Sequence, residues 1–256
     1  MRTIKLTIAY DGTGYVGWQV QPNGTSVQEL LQRAVREMTG GAAPVTGAGR
    51  TDAGVHAAGQ VAHFGTDSNI PLEGFVKGLN SLLPDDIAVL TAEDAGEGFH
   101  AMRSAAGKVY LYRLLIRSLG APLALHRCWQ MREGLDLPGM CEAARALEGE
   151  HDFESFRAAG CTAENAVRRL DRIDIREVDG PDPIFSCGGE GSLVELEFEG
   201  AGFVRHMIRN IVGTLVDIGR GRISPQDVGS IIAARKREQA GRCAPACGLY
   251  LLRVIY

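Results

Sequence analysis

The sequence predicts an α+β protein built as two halves of similar pattern. Periodicities of about two and about 3.6 residues alternate along the chain. Each half reads roughly as strand, helix, strand, strand, helix, strand, which is the ferredoxin-like, RRM-like or split βαβ order. At 256 residues the chain is long enough for one large domain or two small ones, each with a real core. The boundary falls near Phe99 to Ala106, which makes residues 1–103 the first α+β half and 104–256 the second. The halves share a pattern without obvious residue identity, and a central cleft between them is a natural place for a ligand.

In the first half, Ile4 to Tyr10 alternates as a strand. Ser26 supplies an N-cap for a helix reaching Met38, with Glu29 at capping-box spacing. Gln60 to Phe64 reads as a strand. Pro71 opens a helix that runs to Leu82 and is stopped by Pro84. Ile87 to Leu90 closes this half as a strand.

In the second half, Val109 to Ile116 is strand-like and Leu137 to Leu147 is helical, while Leu170 to Arg176 and Leu193 to Phe198 alternate like strands. Phe203 to Ile218 predicts a long helix. Its pairs Phe203 and Val204, Met207 and Ile208, Ile211 and Val212, and Leu215 and Val216 recur every fourth residue as one apolar stripe, with Arg205 and Arg209 on another face. Leu249 to Ile255 is the last strand.

Composition narrows the function classes. A hydrophobic content of 45% excludes a disordered chain. The first residues alternate in strand fashion instead of forming a signal peptide, and no apolar run spans a bilayer, so a cytoplasmic protein without membrane contact is expected. The six cysteines, Cys128, Cys141, Cys161, Cys187, Cys243 and Cys247, are scattered and read as reduced thiols. Cys243 and Cys247 have no second Cys or His pair at zinc-like spacing, so no metal is expected. A net charge of −4 argues against a protein that coats nucleic acid indiscriminately. Arginine greatly outnumbers lysine and clusters at Arg103 to Arg117, at Arg168, Arg169 and Arg172, at Arg205 and Arg209, and at Arg220 and Arg222. Such clusters suit phosphate forks, and they equally suit an ordinary solvated surface.

The most informative stretch runs from Gly47 to His56. Gly47, Gly49 and Gly54 suit a loop that needs positive φ or must let a ligand approach its backbone. Within it Arg50 carries a permanent planar cation. Placed within a few ångströms, it would hold Asp52 ionised, and it could also clamp a phosphate. An ionised aspartate can act as nucleophile or base. It can equally be the acceptor of an Asx turn, with Arg50 a solvated charge.

Gly49-Arg50-Thr51-Asp52-Ala53-Gly54-Val55-His56, followed by Gly59-Gln60-Val61, resembles the catalytic signature of the TruA-type tRNA pseudouridine synthases. Further matches follow in the family's order: Tyr10-Asp11-Gly12, Gly17-Trp18-Gln19, Ser26-Val27-Gln28, Phe99-His100-Ala101, Asp152-Phe153, Ser155-Phe156, Phe203-Val204, His206-Met207, Arg209-Asn210 and Gly248-Leu249-Tyr250-Leu251. The resemblance implies two similar halves around a shared, mainly antiparallel sheet with helices packed on it. It also implies isomerisation of uridine to pseudouridine at positions 38, 39 and 40 of the tRNA anticodon stem-loop, by a homodimer using no cofactor. Asp52 matches the catalytic carboxylate; it attacks C1′ or C6, or removes a C2′ proton.

The base must be flipped out of its stack. Tyr110, in Lys108-Val109-Tyr110-Leu111-Tyr112, matches the tyrosine that stacks on the uracil, and Tyr112 shares its strand face. Leu249 matches an apolar residue near the base. Arg50 and Arg168 match residues that bind or orient the flipped nucleotide, and Arg209 matches the arginine that pairs with the aspartate. His56, Gln60 and His100 lie within matching motifs, and His63 on its alternating strand reads as structural.

The chain departs from the pattern at Met102, where a basic residue is usual, with Arg103 one position later. In an extended segment that shift would point the charge to the opposite face. Two other classes stay open. A catalytically silent RNA-binding protein gains little from Asp52 and Tyr110. A nucleotide enzyme would want GxxxxGK[ST], or GxGxxG before a helix.

Overall fold

The computed structural model describes residues 1–41, 44–178 and 191–256; Cys187 lies outside them. In chain order the elements are β1 (Arg2–Tyr10), α1 (Val27–Thr39), β2 (Thr46–Gly47), β3 (His56–Thr66), α2 (Leu72–Leu82), β4 (Ile87–Ala95), β5 (Gly107–Ile116), β6 (Trp129–Met131), α3 (Leu137–Arg145), β7 (Gly149–Asp152), β8 (Val167–Glu177), β9 (Ser192–Gly200), α4 (Met207–Gly219), α5 (Val228–Ala234) and β10 (Leu249–Ile255), with five short 3₁₀ turns between them. The architecture is α+β and mainly antiparallel. The chain divides into two compact units, Met1–Lys108 with Tyr250–Tyr256, and Val109–Leu249.

The first unit carries strands in the order β4-β1-β3-β10. β1 is antiparallel to both neighbours, with Ile4 opposite Phe64 and Leu6 opposite Ala62. Its alternation is the cause of its placement. Ile4, Leu6 and Ile8 are fully buried while the intervening residues are not, and burying each such side chain is worth roughly 1.5–3 kcal/mol. Phe64 meets Phe75 of α2 edge to face at 5.6 Å. α1 begins where Ser26 Oγ accepts from the Glu29 N–H at 3.2 Å. It ends at Gly40, whose φ of 69° suits a residue without Cβ.

One edge of β3 is divided between two partners. β10 pairs with His56 and Ala57 in parallel, and β2 pairs antiparallel with Ala62 and His63. Gly59 lies between these pairings, where a Cβ would stand 2.4 Å from the Leu252 carbonyl oxygen, so the close approach of β10 requires glycine there.

The second unit orders its strands β5-β9-β8-β7, with β6 parallel to β5 through Leu114 and Trp129. α3 and α4 pack together, and every residue of α4 except Arg209 is buried. α4 starts later than its apolar periodicity predicts. His206 takes a left-handed φ of 62° and the helix opens at Met207. Phe203 to Arg205 approach it as a turn, closed by the Met207 N–H to Val204 carbonyl bond at 3.1 Å. Val204 is buried in that turn, so it extends the apolar spacing without being helical, and Arg205 shares no helix face with Arg209.

Candidate active site around Asp52

The loop that carries Asp52 is pinned from both sides within the first unit. The Trp18 N–H donates to the Thr51 carbonyl at 3.1 Å, and the Val55 N–H donates to the Asp52 carbonyl at 3.1 Å. Gly17 and Asp52 form a short antiparallel bridge. Gly17 has φ +110°, and a Cβ there would sit 2.5 Å from the Thr51 carbonyl oxygen, which gives the Gly17-Trp18 pair its physical reason. Gly47 likewise leaves room for the Trp18 ring, 2.5 Å from where its Cβ would be.

Thr51 faces inward. Its hydroxyl is 2.8 Å from the Tyr10 hydroxyl, and both residues are buried. Burial pushes the Tyr10 phenol up to about 12, opposed by its bonds to Thr51 and Gln60, so it stays a neutral structural group. Gln60, fully buried, donates from Nε2 to the Gly49 carbonyl at 2.9 Å. Its Oε1 finds no partner among the described residues.

His56 ties the loop to both neighbouring segments. Its Nδ1 accepts from the Gly12 N–H at 3.1 Å, and its ring stacks on Tyr250 at 4.7 Å. The same nitrogen lies 3.1 Å from Asp11 Oδ1. That contact is an ion pair when the imidazole is protonated. Gly12 itself has no room for a side chain, since a Cβ would fall 2.0 Å from the Val55 carbonyl oxygen.

With Thr51 turned in, Asp52 is half-buried and Arg50 is exposed. Among the described residues Arg50 makes no hydrogen bond or ion pair, so the clamp on Asp52 that their spacing suggests is not formed. A solvated guanidinium gains little from such a pair. Lys108, to which the sequence reading assigns no role, lies against this loop, with its Cε 3.2 Å from the position a Gly49 Cβ would take. Burial lowers its pKa.

The remaining candidates belong to the second unit. Tyr110 on β5 is buried and meets Phe203 edge to face at 5.1 Å, an aromatic neighbour that sequence spacing could not indicate. Tyr112, two residues on, is fully buried and donates to the Pro245 carbonyl at 2.8 Å. Arg209, in the first turn of α4, donates from Nε to the Ala244 carbonyl at 2.8 Å and accepts from the Ala244 N–H through its own carbonyl. Arg168 on β8 bonds Asn165 Oδ1 and the Val167 carbonyl. Leu249 is 6% exposed at the start of β10, after a turn in which a Cβ on Gly248 would meet the Tyr112 ring.

The segment from Ala101 to Ser104 is a turn, not a strand. His100 Nδ1 accepts from the Met102 and Arg103 N–H groups, and both side chains are exposed, so alternation of faces does not govern where the Arg103 charge points. Among the described residues no three His, Cys, Asp or Glu side chains gather as metal ligands, and no helix is long and apolar enough to cross a membrane.

A family model described as tRNA pseudouridine synthase matches residues 6–102 and 143–256. The chain is 44% identical to tRNA pseudouridine synthase A of Pelobacter propionicus over 256 residues, covering all of both chains. It is 44% identical to the enzyme of the same name from Geobacter sulfurreducens over 99% of each chain. With that of Citrifermentans bemidjiense it shares 45% identity over all of this chain and 98% of the relative. Both the match along the chain and the motif around Asp52 lead to one assignment: the chain belongs to the tRNA pseudouridine synthase family.

Proposed function

We propose that this chain isomerises uridine to pseudouridine at positions 38, 39 and 40 of the tRNA anticodon stem-loop, with Asp52 as the catalytic carboxylate. The observation that carries the reading is the loop itself. Asp52 is half-buried at the apex of a segment held by Trp18, Val55 and the Gly17 bridge, an ordering that costs entropy and fits a carboxylate that must meet a sugar in fixed geometry.

The reaction cuts the base from C1′, turns it and rejoins it through C5. It moves protons without net redox change, and the carboxylate works in its ionised form as nucleophile or base. Tyr110 stacks on the flipped uracil, with Phe203 holding the ring's edge. Leu249 supplies an apolar wall. Arg209, aligned by the Ala244 carbonyl, serves as the cation that steadies the Asp52 carboxylate, while Arg50 and Arg168 hold the nucleotide's backbone. The protein acts as a cytoplasmic homodimer without a cofactor.

Tritium release from C5-labelled uridine in an unmodified tRNA transcript tests this. Release by the wild-type chain and none by Asp52→Asn is expected. Binding of several tRNAs without any release would support a silent RNA-binding protein instead.

A further inference from the structure

Among the described residues Lys108 is a cation without a counterpart. It opens β5, half-buried, two residues before Tyr110. Its stem lies over Gly49, with Cε and Nζ 3.2 and 3.5 Å from where a Cβ on that glycine would be. Among the described residues its ammonium makes no hydrogen bond or ion pair. Holding an ammonium partly out of water with no acceptor costs free energy, and burial lowers its pKa accordingly. For packing alone a methionine or leucine would serve better.

The residue after Gly49 is Arg50, exposed and likewise without an ion pair among the described residues. The Lys108 stem therefore fills the space over Gly49, and Arg50 follows that glycine, so two cations meet at a point three and two positions before Asp52, and neither pairs with it.

We propose that Lys108 and Arg50 together bind one backbone phosphate of the RNA substrate, beside the nucleotide presented to Asp52. Arg50 supplies the planar fork and Lys108 the point charge. The phosphate oxygen is the acceptor that the Lys108 ammonium lacks. Anchoring it beside Gly49 fixes the adjoining ribose relative to Asp52, which is a positioning effect on the reaction. The proposal rests on the reading of the chain as a tRNA-modifying enzyme.

The test is the salt dependence of kcat/KM for tritium release from a C5-labelled tRNA transcript, measured for wild type, K108M, K108R and K77M. K108M keeps the apolar stem and is expected to lose roughly tenfold in kcat/KM near 0.1 M salt. Its slope against log salt should become shallower by about 0.7–0.9, the loss of one phosphate contact. K108R should keep the wild-type slope, and so should K77M, on the exposed face of α2. An unchanged slope in K108M, or an equal change in K77M, overturns the proposal. R50M, at an exposed position where folding is not at risk, carries the same slope test if K108M does not melt cooperatively. No release by the wild type from any transcript would overturn the tRNA-modifying reading itself, an outcome distinct from an active K108M with an unchanged slope.

Discussion

The loop that carries Asp52 is held by backbone bonds of its carbonyl and of its neighbours, which a side chain of the same shape does not disturb. Replacing Asp52 with asparagine should therefore leave the loop in place. Asp52→Asn is expected to bind tRNA within about threefold of wild type while turnover falls by three orders of magnitude or more, the pattern of an interaction made only in the transition state. Filter binding and tritium release measured together check this; parallel loss of both would make Asp52 a folding or binding residue. Tyr110→Phe keeps a ring of the same shape against Phe203, so tRNA affinity should hold while the rate drops about tenfold or more if the hydroxyl handles the C5 proton. Full activity would remove that hydroxyl from the mechanism. The loop and its glycines were legible in the sequence because small residues around a lone carboxylate are a local pattern. Its detailed contacts were not. Arg50 and Asp52 are two residues apart yet do not pair with each other, and the residue between them turns inward to Tyr10. Lys108 meets Gly49 only through the fold.

Elements with strong caps or strict alternation were read correctly from the chain, as the Ser26 cap of α1 and the buried positions of β1 illustrate. Two-residue β2 and three-residue β6 exist only through their pairing partners, and so leave no periodic trace. α5, seven residues long, is below the length at which a 3.6-residue period registers. The start of α4 was misread for a different reason: a buried residue in the preceding turn imitates the helical stripe. Helix glycines give a paired prediction. In α4, a Cβ on Gly213 would lie 1.6 Å from the Arg242 carbonyl oxygen. Gly213→Ala should therefore push the 241–244 segment off the helix, costing on the order of 3 kcal/mol and lowering Tm by on the order of 10 °C. In α5, Gly229 has nothing within 4 Å of that position, and Gly229→Ala should instead raise Tm slightly, by up to about 1 kcal/mol of helix propensity. Thermal melts of the two variants side by side decide the matter, and equal effects would contradict the packing argument.

At the scale of the whole chain, the last residues return to the first unit and close it. Tyr256 donates its hydroxyl to the Ala101 carbonyl at 2.8 Å, its ring lies 5.1 Å from Phe99, and the Ala106 N–H donates to the Ile255 carbonyl. The turn held in this way also leans on His63, whose Nδ1 accepts from the Ala101 N–H at 3.1 Å. His63 is thus required neutral by the fold. Its pKa is lowered first by desolvation and then by the charges it faces, His100, whose ring is 4.9 Å away, and Arg103, against an opposing bond from its ring to the Thr46 backbone. The sign follows from proton binding. With a native pKa below the ordinary value of about 6.5, the unfolded chain takes up the proton first as pH falls. The stability from keeping His63 neutral is complete above about pH 6.5 and is lost as pH drops from there through the lowered native pKa. His63→Gln cannot take up that proton. The fall in Tm between about pH 7.5 and 5.5 should consequently be smaller in His63→Gln than in wild type, even if the variant starts lower because it packs less well. Melting curves across that range test the point, and an identical fall in both proteins would assign the acid sensitivity of this unit to other groups.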